Sequence, residues 1–327
     1  MRSRPIVVVT RRLPGDPFGA LAEQAEVRTW PEDRPPSAEE LRELAAPATG
    51  LITMLTDRVD RELLDACASL RVVANVAVGY DNLDLAALGA RGIPAGNTPG
   101  VLTDATADLA FGLILAVARR IPEARDAVLA GEWTTWDPTA YLGVELRGAT
   151  LGVVGTGRIG TALARRARGF GMRVLGWSRH PRALEGIERV PLEELLERSD
   201  VVSLHVPLDP STHHLIDEAA LARMRPGAIL VNTARGAIVD QRALAAALAA
   251  GVIAGAGLDV AEHEPIPLDD PLLGLKNCVV LPHIGSATVA TRTKMAELAA
   301  LNVRAALAGE RLPHCVNPEV YATPPGR

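Results

Sequence analysis

Short β-branched apolar runs recur along the whole chain, and Ala/Leu-rich stretches with helical spacing lie between them. Strands separated by helices argue for βαβ units and parallel sheets. In the first hundred residues the runs Ile6–Thr10, Glu26–Thr29, Gly50–Met54, Arg71–Val76 and Ile93–Ala95 predict strands. Helices such as Ser37–Leu44 and Asp60–Ala68 lie between them. The stretch Thr103–Arg119 is apolar almost all round, which predicts a helix buried between packed bodies that crosses from one domain to the other. Pro122 and the stretch Gly131–Gly143, with Trp133, Trp136 and Pro138, are expected to break the regular pattern. A second series of strands follows at Thr150–Val154, Arg173–Trp177, Val201–His205, Ala228–Asn232, Ile253–Leu258 and Cys278–Leu281. The last helical stretch, Ser286–Ala308, carries Met295, Leu298, Leu301 and Val303 and is expected to return to the first domain. The fold class is therefore α/β, with two doubly wound parallel-sheet domains. The Pro-rich tail after Val320 is expected to be loose.

Composition narrows the function. A chain of 327 residues fits two domains of about 150 residues each. An apolar fraction of 48% with 22% charged residues excludes disorder as the main state. The net charge of −5 and the lack of a basic block exclude a nucleic-acid binder. Cys67, Cys278 and Cys315 are widely spaced and form no CxxC pair, so neither a disulfide framework nor a metal site is expected. The apolar run Ile6–Val9 is too short for a signal peptide or a membrane span, which leaves a cytoplasmic protein with no membrane partner as the expectation.

The segment Thr150–Gly160 places Gly155-Thr156-Gly157-Arg158-Ile159-Gly160 directly after a strand and before a helix. In that setting Gly155 permits the tight turn, Gly157 lets backbone approach a pyrophosphate, and Gly160 lets helix and strand pack closely. The helix N-terminus attracts the phosphate charge. The next strand ends in Ser178-Arg179-His180-Pro181-Arg182, without the acid that would bind the ribose diol of NAD. Ser178 can hydrogen-bond a 2′-phosphate and Arg179 can pair with it, which favours NADP. The alternative is that Arg179 is solvated or stacks on adenine, with NAD accepted.

Three chemically apt residues fall at strand ends in the second domain: Arg235, Glu264 and His283. Ligands of open α/β sheets bind beyond the carboxyl ends of strands. Reduction of a 2-oxo acid needs a cation for the substrate carboxylate, an acid to protonate the developing alkoxide, and a carboxylate to favour that acid's charged form.

The segments Val76–Asp84, Gly96–Leu115, Trp133–Pro138, Val153–Gly160, Trp177–Arg182, Asn232–Asp240, Ala254–Pro265 and Leu281–Thr288 together resemble the D-isomer-specific 2-hydroxyacid dehydrogenase family, in its glyoxylate/hydroxypyruvate reductase branch. They span most of the chain. The resemblance implies a Rossmann-type dinucleotide-binding domain, 101–286, inserted into a smaller flavodoxin-like substrate domain, 1–100 and 287–327. It implies NAD(P)H-dependent reduction of a small 2-oxo acid to the 2-hydroxy acid, with His283 as general acid/base, Glu264 as its partner and Arg235 as substrate anchor. It places the backbone amides of Val78 and Gly79 on the substrate carboxylate, with Leu55 and Ser286 beside the substrate. Thr103, Pro207, Thr212, Thr233, Asp259 and Gly285 would line the cofactor site. The family is typically dimeric, and Trp136 would reach the neighbour's active site. Leu55 offers no partner for a substrate phosphate, although Arg58 is near. Other dehydrogenases of the family, acting on phosphoglycerate, larger 2-oxo acids, formate or phosphite, and a cofactor-sensing corepressor remain as alternatives.

Overall fold

The computed structural model describes residues 4–15, 17–180 and 184–322. The chain forms two compact units, one made of the residues up to Leu102 and those from Ser286 onward, the other of Thr103–Gly285.

The first unit holds a five-stranded parallel sheet of β1 (Ile6–Val9), β2 (Glu26–Thr29), β3 (Gly50–Thr53), β4 (Val72–Asn75) and β5 (Ala95–Gly96), in the order β2-β1-β3-β4-β5. β3 and β4 are buried on both faces, as near-continuous apolar runs should be in a covered parallel sheet. β2, with the sequence EVRT, is the exposed edge. The last helix, Val289–Leu307, packs on β3 and β4. Its buried face is built from Met295, Val303 and several alanines, whereas Leu301 is exposed. Asn302 on that helix is fully buried and clamps both sides: its amide donates to the Asn97 carbonyl at 3.1 Å and its oxygen accepts from the His314 amide at 3.1 Å. A Cβ at Gly96 would stand 2.6 Å from the Asn302 amide nitrogen, so only glycine lets strand and helix close up here. Buried Asn317 repeats the device, accepting from Ala95 N at 2.8 Å and donating to Ile93 O at 3.0 Å. The C-terminal segment is thus hydrogen-bonded into the sheet that the N-terminal segment begins.

The second unit holds a seven-stranded parallel sheet of β6 (Thr150–Val154), β7 (Arg173–Trp177), β8 (Glu188–Arg189), β9 (Val201–Leu204), β10 (Ile229–Asn232), β11 (Gly255–Leu258) and β12 (Cys278–Val280). The order β12-β11-β10-β9-β6-β7-β8 reverses between β6 and β9, the switch point at which such sheets bind ligands. One face is covered by a core that includes Leu195, Leu221, Leu244 and Ile253, the other by one that includes Ala110, Leu113, Ile114 and Leu163. The helix Thr103–Ala118 lies wholly in this unit, against β10, β11, β12 and the helix Arg158–Gly169. Sheet on one side and helix on another explain its all-round apolar character. Pro122 does not break the pattern. It sits in the first turn of a helix, Ile121–Leu129, where its missing N–H costs no bond. Among the described residues no helix is long and apolar enough to cross a membrane, and no group of three potential metal ligands occurs.

Candidate active site

Gly155 follows β6 with φ of +104°, and a Cβ there would lie 2.6 Å from the His205 carbonyl carbon. Gly160 meets the Val153 side chain, where a Cβ would come within 2.8 Å. Gly157 differs, because a Cβ there would meet nothing within 4 Å. That residue caps the twelve-residue helix Arg158–Gly169 with no side chain over the first turn, leaving backbone N–H groups facing open space. Ile159 is half-buried behind them, and Arg158 is exposed. In the turn after β10, the Thr233 hydroxyl is buried without a partner. In the loop after β9, Thr212 is fully buried and its hydroxyl donates to Pro207 O at 2.7 Å and accepts from Asp209 N at 2.8 Å. An open amide cradle at a helix N-terminus and an orphaned hydroxyl beside the same sheet end are what a dinucleotide needs, so these residues fit NAD(P).

Arg235, Glu264 and His283 follow the carboxyl ends of β10, β11 and β12. His283 takes a left-handed conformation, φ +54°, and its Nδ1 stands 2.7 Å from Glu264 Oε2. Asp259, 1% exposed, builds the turn that presents the ring. Its carbonyl accepts from His283 N at 2.9 Å, and its carboxylate oxygens accept from Ile284 N and Gly285 N, each at 2.7 Å. Burial pushes the Asp259 carboxyl above its usual range, and those two amides partly offset the shift. Thr106, near the start of the helix opened by Thr103, donates to Gly285 O at 3.2 Å. Glu264 is held by its own loop, with Oε1 accepting from Ala261 N at 3.2 Å. Arg235 sits in a turn fixed by buried Asn232, which donates to Arg235 O at 2.7 Å and accepts from Ala234 N at 3.0 Å. The next residue, Gly236, lies against the Ala261–Glu262 backbone so closely that no side chain fits. That contact sets the Arg235 turn beside the loop carrying Glu264.

In the first unit, a buried amide network shapes the loop after β4. Asn75 accepts from the Thr53 hydroxyl at 3.1 Å and donates to Gly79 O at 3.0 Å, while Asn97 donates to Val78 O at 2.8 Å. Ala77 O accepts from Thr98 N at 2.9 Å, and planar trans peptides turn the Val78 and Gly79 N–H groups opposite to the bonded carbonyls of Ala77 and Val78. Among the described residues, no group accepts from the Val78 or Gly79 amides. Leu55 is half-buried beside this loop's other brace, Asn82, which donates to Met54 O at 3.1 Å and Asp57 O at 2.9 Å. Arg58 points to solvent, 85% exposed, 3.5 Å from Asp60.

Residues 111–285 match the family described as D-isomer specific 2-hydroxyacid dehydrogenase, NAD binding domain. A glyoxylate reductase of Korarchaeum cryptofilum is 51% identical over 329 residues, covering 99% of each chain. The chain belongs to the D-isomer-specific 2-hydroxyacid dehydrogenases. A glyoxylate reductase of Thermococcus litoralis is 49% identical, over 98% of this chain and 99% of that one. The crystal structure of TT0316 protein from Thermus thermophilus superposes with a TM-score of 0.91 at 48% identity, covering 95% of this dehydrogenase and 99% of that chain. An NADPH-dependent glyoxylate/hydroxypyruvate reductase from Sinorhizobium meliloti, solved with NADP and malonate, gives 0.86 at 36% identity, over 96% of this chain and 97% of that one.

The dehydrogenase also contains groups that its sequence did not advertise. His213 and His214 lie in a turn with their rings stacked 4.0 Å apart. His214 Nε2 lies 2.7 Å from Glu262 Oε1. Glu262 and Gln241 then bind each other twice, Gln241 N to Glu262 Oε1 at 3.2 Å and Glu262 N to Gln241 Oε1 at 2.9 Å, and Gln241 reaches Asp270 at 2.6 Å. This chain of bonds braces both ends of the loop that carries Glu264. An acid from another loop meets the end of β7. Asp209, in the loop after β9, lies 2.6 Å from Arg179, and no local motif around Arg179 signals it. Ser178 bonds to the Thr156 hydroxyl at 3.1 Å, while Pro181 and Arg182 lie outside the described residues. His205 packs at the end of β9 with Ser203 at 2.9 Å, and burial drives its imidazole down to about 4. Trp136 is 79% exposed, and Ser286 opens the returning segment of the first unit.

Proposed function

We propose that this dehydrogenase reduces glyoxylate or hydroxypyruvate to glycolate or D-glycerate, with NADPH as the favoured cofactor and NADH accepted. The observation that carries the reading is the His283–Glu264 couple, set at 2.7 Å on the carboxyl edge of a nucleotide-binding sheet. Bound NAD(P)H supplies the hydride. The amide cradle Gly155–Gly160 holds the pyrophosphate, with Thr103, Pro207, Thr212, Thr233 and Gly285 lining the rest, and Ser178 and Arg179 serve the 2′-phosphate. Asp259 acts as a positioning residue, because both its oxygens hold the turn that presents His283. Arg235 and the amides of Val78 and Gly79 take the substrate carboxylate. His283 gives its Nε2 proton to the carbonyl oxygen as charge builds there, and Glu264 on the other ring nitrogen steadies the resulting orientation. Leu55 and the solvent-facing Arg58 leave a substrate phosphate without a partner, which argues for small unphosphorylated acids.

Trp136 lies in a stretch of chain, 121–142, that also exposes Ile121, Leu129, Trp133 and Leu142. Exposed apolar side chains in such number mark a protein contact. A homodimer that covers it, with Trp136 reaching toward the partner subunit's substrate, completes the reading.

The test is a set of initial rates with glyoxylate, hydroxypyruvate and phosphohydroxypyruvate, each with NADH and NADPH. Activity is expected on the first two, and preference for the phosphorylated acid overturns the assignment. His283→Ala is expected to lower kcat at least a thousandfold while cofactor affinity stays within about twofold. Retained turnover would remove His283 from its role.

A further inference from the structure

The end of β7 presents Arg179, and the loop after β9 meets it. Nη2 of Arg179 donates to Asp209 Oδ2 at 2.6 Å and Nη1 donates to the Ser211 hydroxyl at 2.6 Å. Ser211 in turn donates from its hydroxyl at 2.7 Å and its backbone N–H at 2.9 Å to the other Asp209 oxygen. The Arg179 and Asp209 side chains are 40% and 30% exposed, so the clamp lies where a solvent-borne ligand reaches it. Thr212 fixes the same loop to Pro207, which makes the position of Asp209 a property of the fold.

We propose that Asp209 sets the cofactor preference by holding Arg179 in a neutral pair that a 2′-phosphate must break. This rests on the reading of Arg179 as the phosphate partner. A phosphate bearing close to two negative charges finds in this pair no net cation, and it meets the carboxylate of Asp209. Both Nη groups must exchange their partners before they can grip it in the two-pronged manner that makes Arg–phosphate bonds strong. A ribose diol brings hydroxyl donors, which a carboxylate accepts without rearrangement. The paired state therefore holds down affinity for the phosphorylated cofactor and leaves the unphosphorylated one accepted.

Titration calorimetry with two fragments, 2′,5′-ADP and 5′-ADP, reads this without turnover. Asp209→Asn keeps an oxygen for Ser211 and removes the charge. It is expected to bind 2′,5′-ADP about tenfold more tightly, with 5′-ADP unchanged within about twofold. Arg179→Ala is expected to weaken 2′,5′-ADP at least tenfold and to leave 5′-ADP unchanged. If Arg179→Ala weakens the phosphorylated fragment and Asp209→Asn does nothing, the role of Asp209 falls and the NADPH reading stands. If Arg179→Ala has no effect on 2′,5′-ADP, the NADPH reading falls and takes the inference with it.

Discussion

A methyl group at position 236 would run into the Ala261–Glu262 backbone, and neither side is a flexible side-chain end that can yield. Gly236→Ala must shift either the Arg235 turn or the loop that holds Glu264. Misplacement of reacting groups by about 1 Å costs on the order of a hundredfold in rate, so kcat/KM should drop by that order in steady-state assays. A fall confined to melting temperature would show that the contact is only structural. His205 has a different signature. Its folded pKa of about 4 lies below the imidazole's usual ~6.5, so the folded state binds fewer protons than the unfolded one in between. Stability from this group is intact above about pH 6.5 and falls as pH drops toward 4, by up to about 3 kcal/mol. Denaturant melts from pH 7.5 to 4.5 should show a smaller loss in His205→Asn than in the parent, and identical slopes would refute the assignment. Single residues were legible where chemistry and motif coincide, as with His283 and Glu264. Asp209 was not, because its partner stands thirty positions away and only the turn geometry brings them together.

Strands and helices were readable wherever an apolar run carried the signal. The cores of β1, β3, β4, β6, β9 and β10 fall inside the expected runs, with ends trimmed by a residue or two. β8 escaped because Glu188–Arg189 is a two-residue exposed edge with no apolar side to show. The helix Ile121–Leu129 escaped because a proline that closes most helical patterns opens this one. The brace His214–Glu262–Gln241–Asp270 was equally hidden, since it joins a turn, a helix start and a loop by polar bonds and leaves no periodicity. Its expected consequence is kinetic: Glu262→Ala removes the carboxylate that holds His214 and Gln241 N and should lower kcat about tenfold or more, whereas Gln241→Glu, which keeps an acceptor for Glu262 N but loses the donor to Asp270, should fall between that variant and the parent. Stopped-flow reduction of glyoxylate reads it, and unchanged kcat in Glu262→Ala would confine the brace to stability.

At the scale of the molecule, the exposed Leu129, Trp133 and Leu142 of the second unit are the side chains that the proposed dimer contact would cover. Leu129→Asp should convert a dimer to a monomer in sedimentation velocity, while Trp136→Ala should leave the dimer intact and lower kcat/KM for hydroxypyruvate several-fold. A monomeric parent would overturn both. The two-sheet class was legible from alternation alone, but the pairing order was not, because the sequence states which runs are strands and leaves their neighbours to packing.

The buried asparagines 302 and 317 tie the end of the chain to strands made at its beginning. A ribosome releases the nucleotide-binding sheet in one uninterrupted stretch, yet must carry the opening strands unfinished until Asn302 and Asn317 have emerged. Premature termination after Gly285 would therefore spare the inserted half and leave β3 and β4 without the helix Val289–Leu307 that covers them.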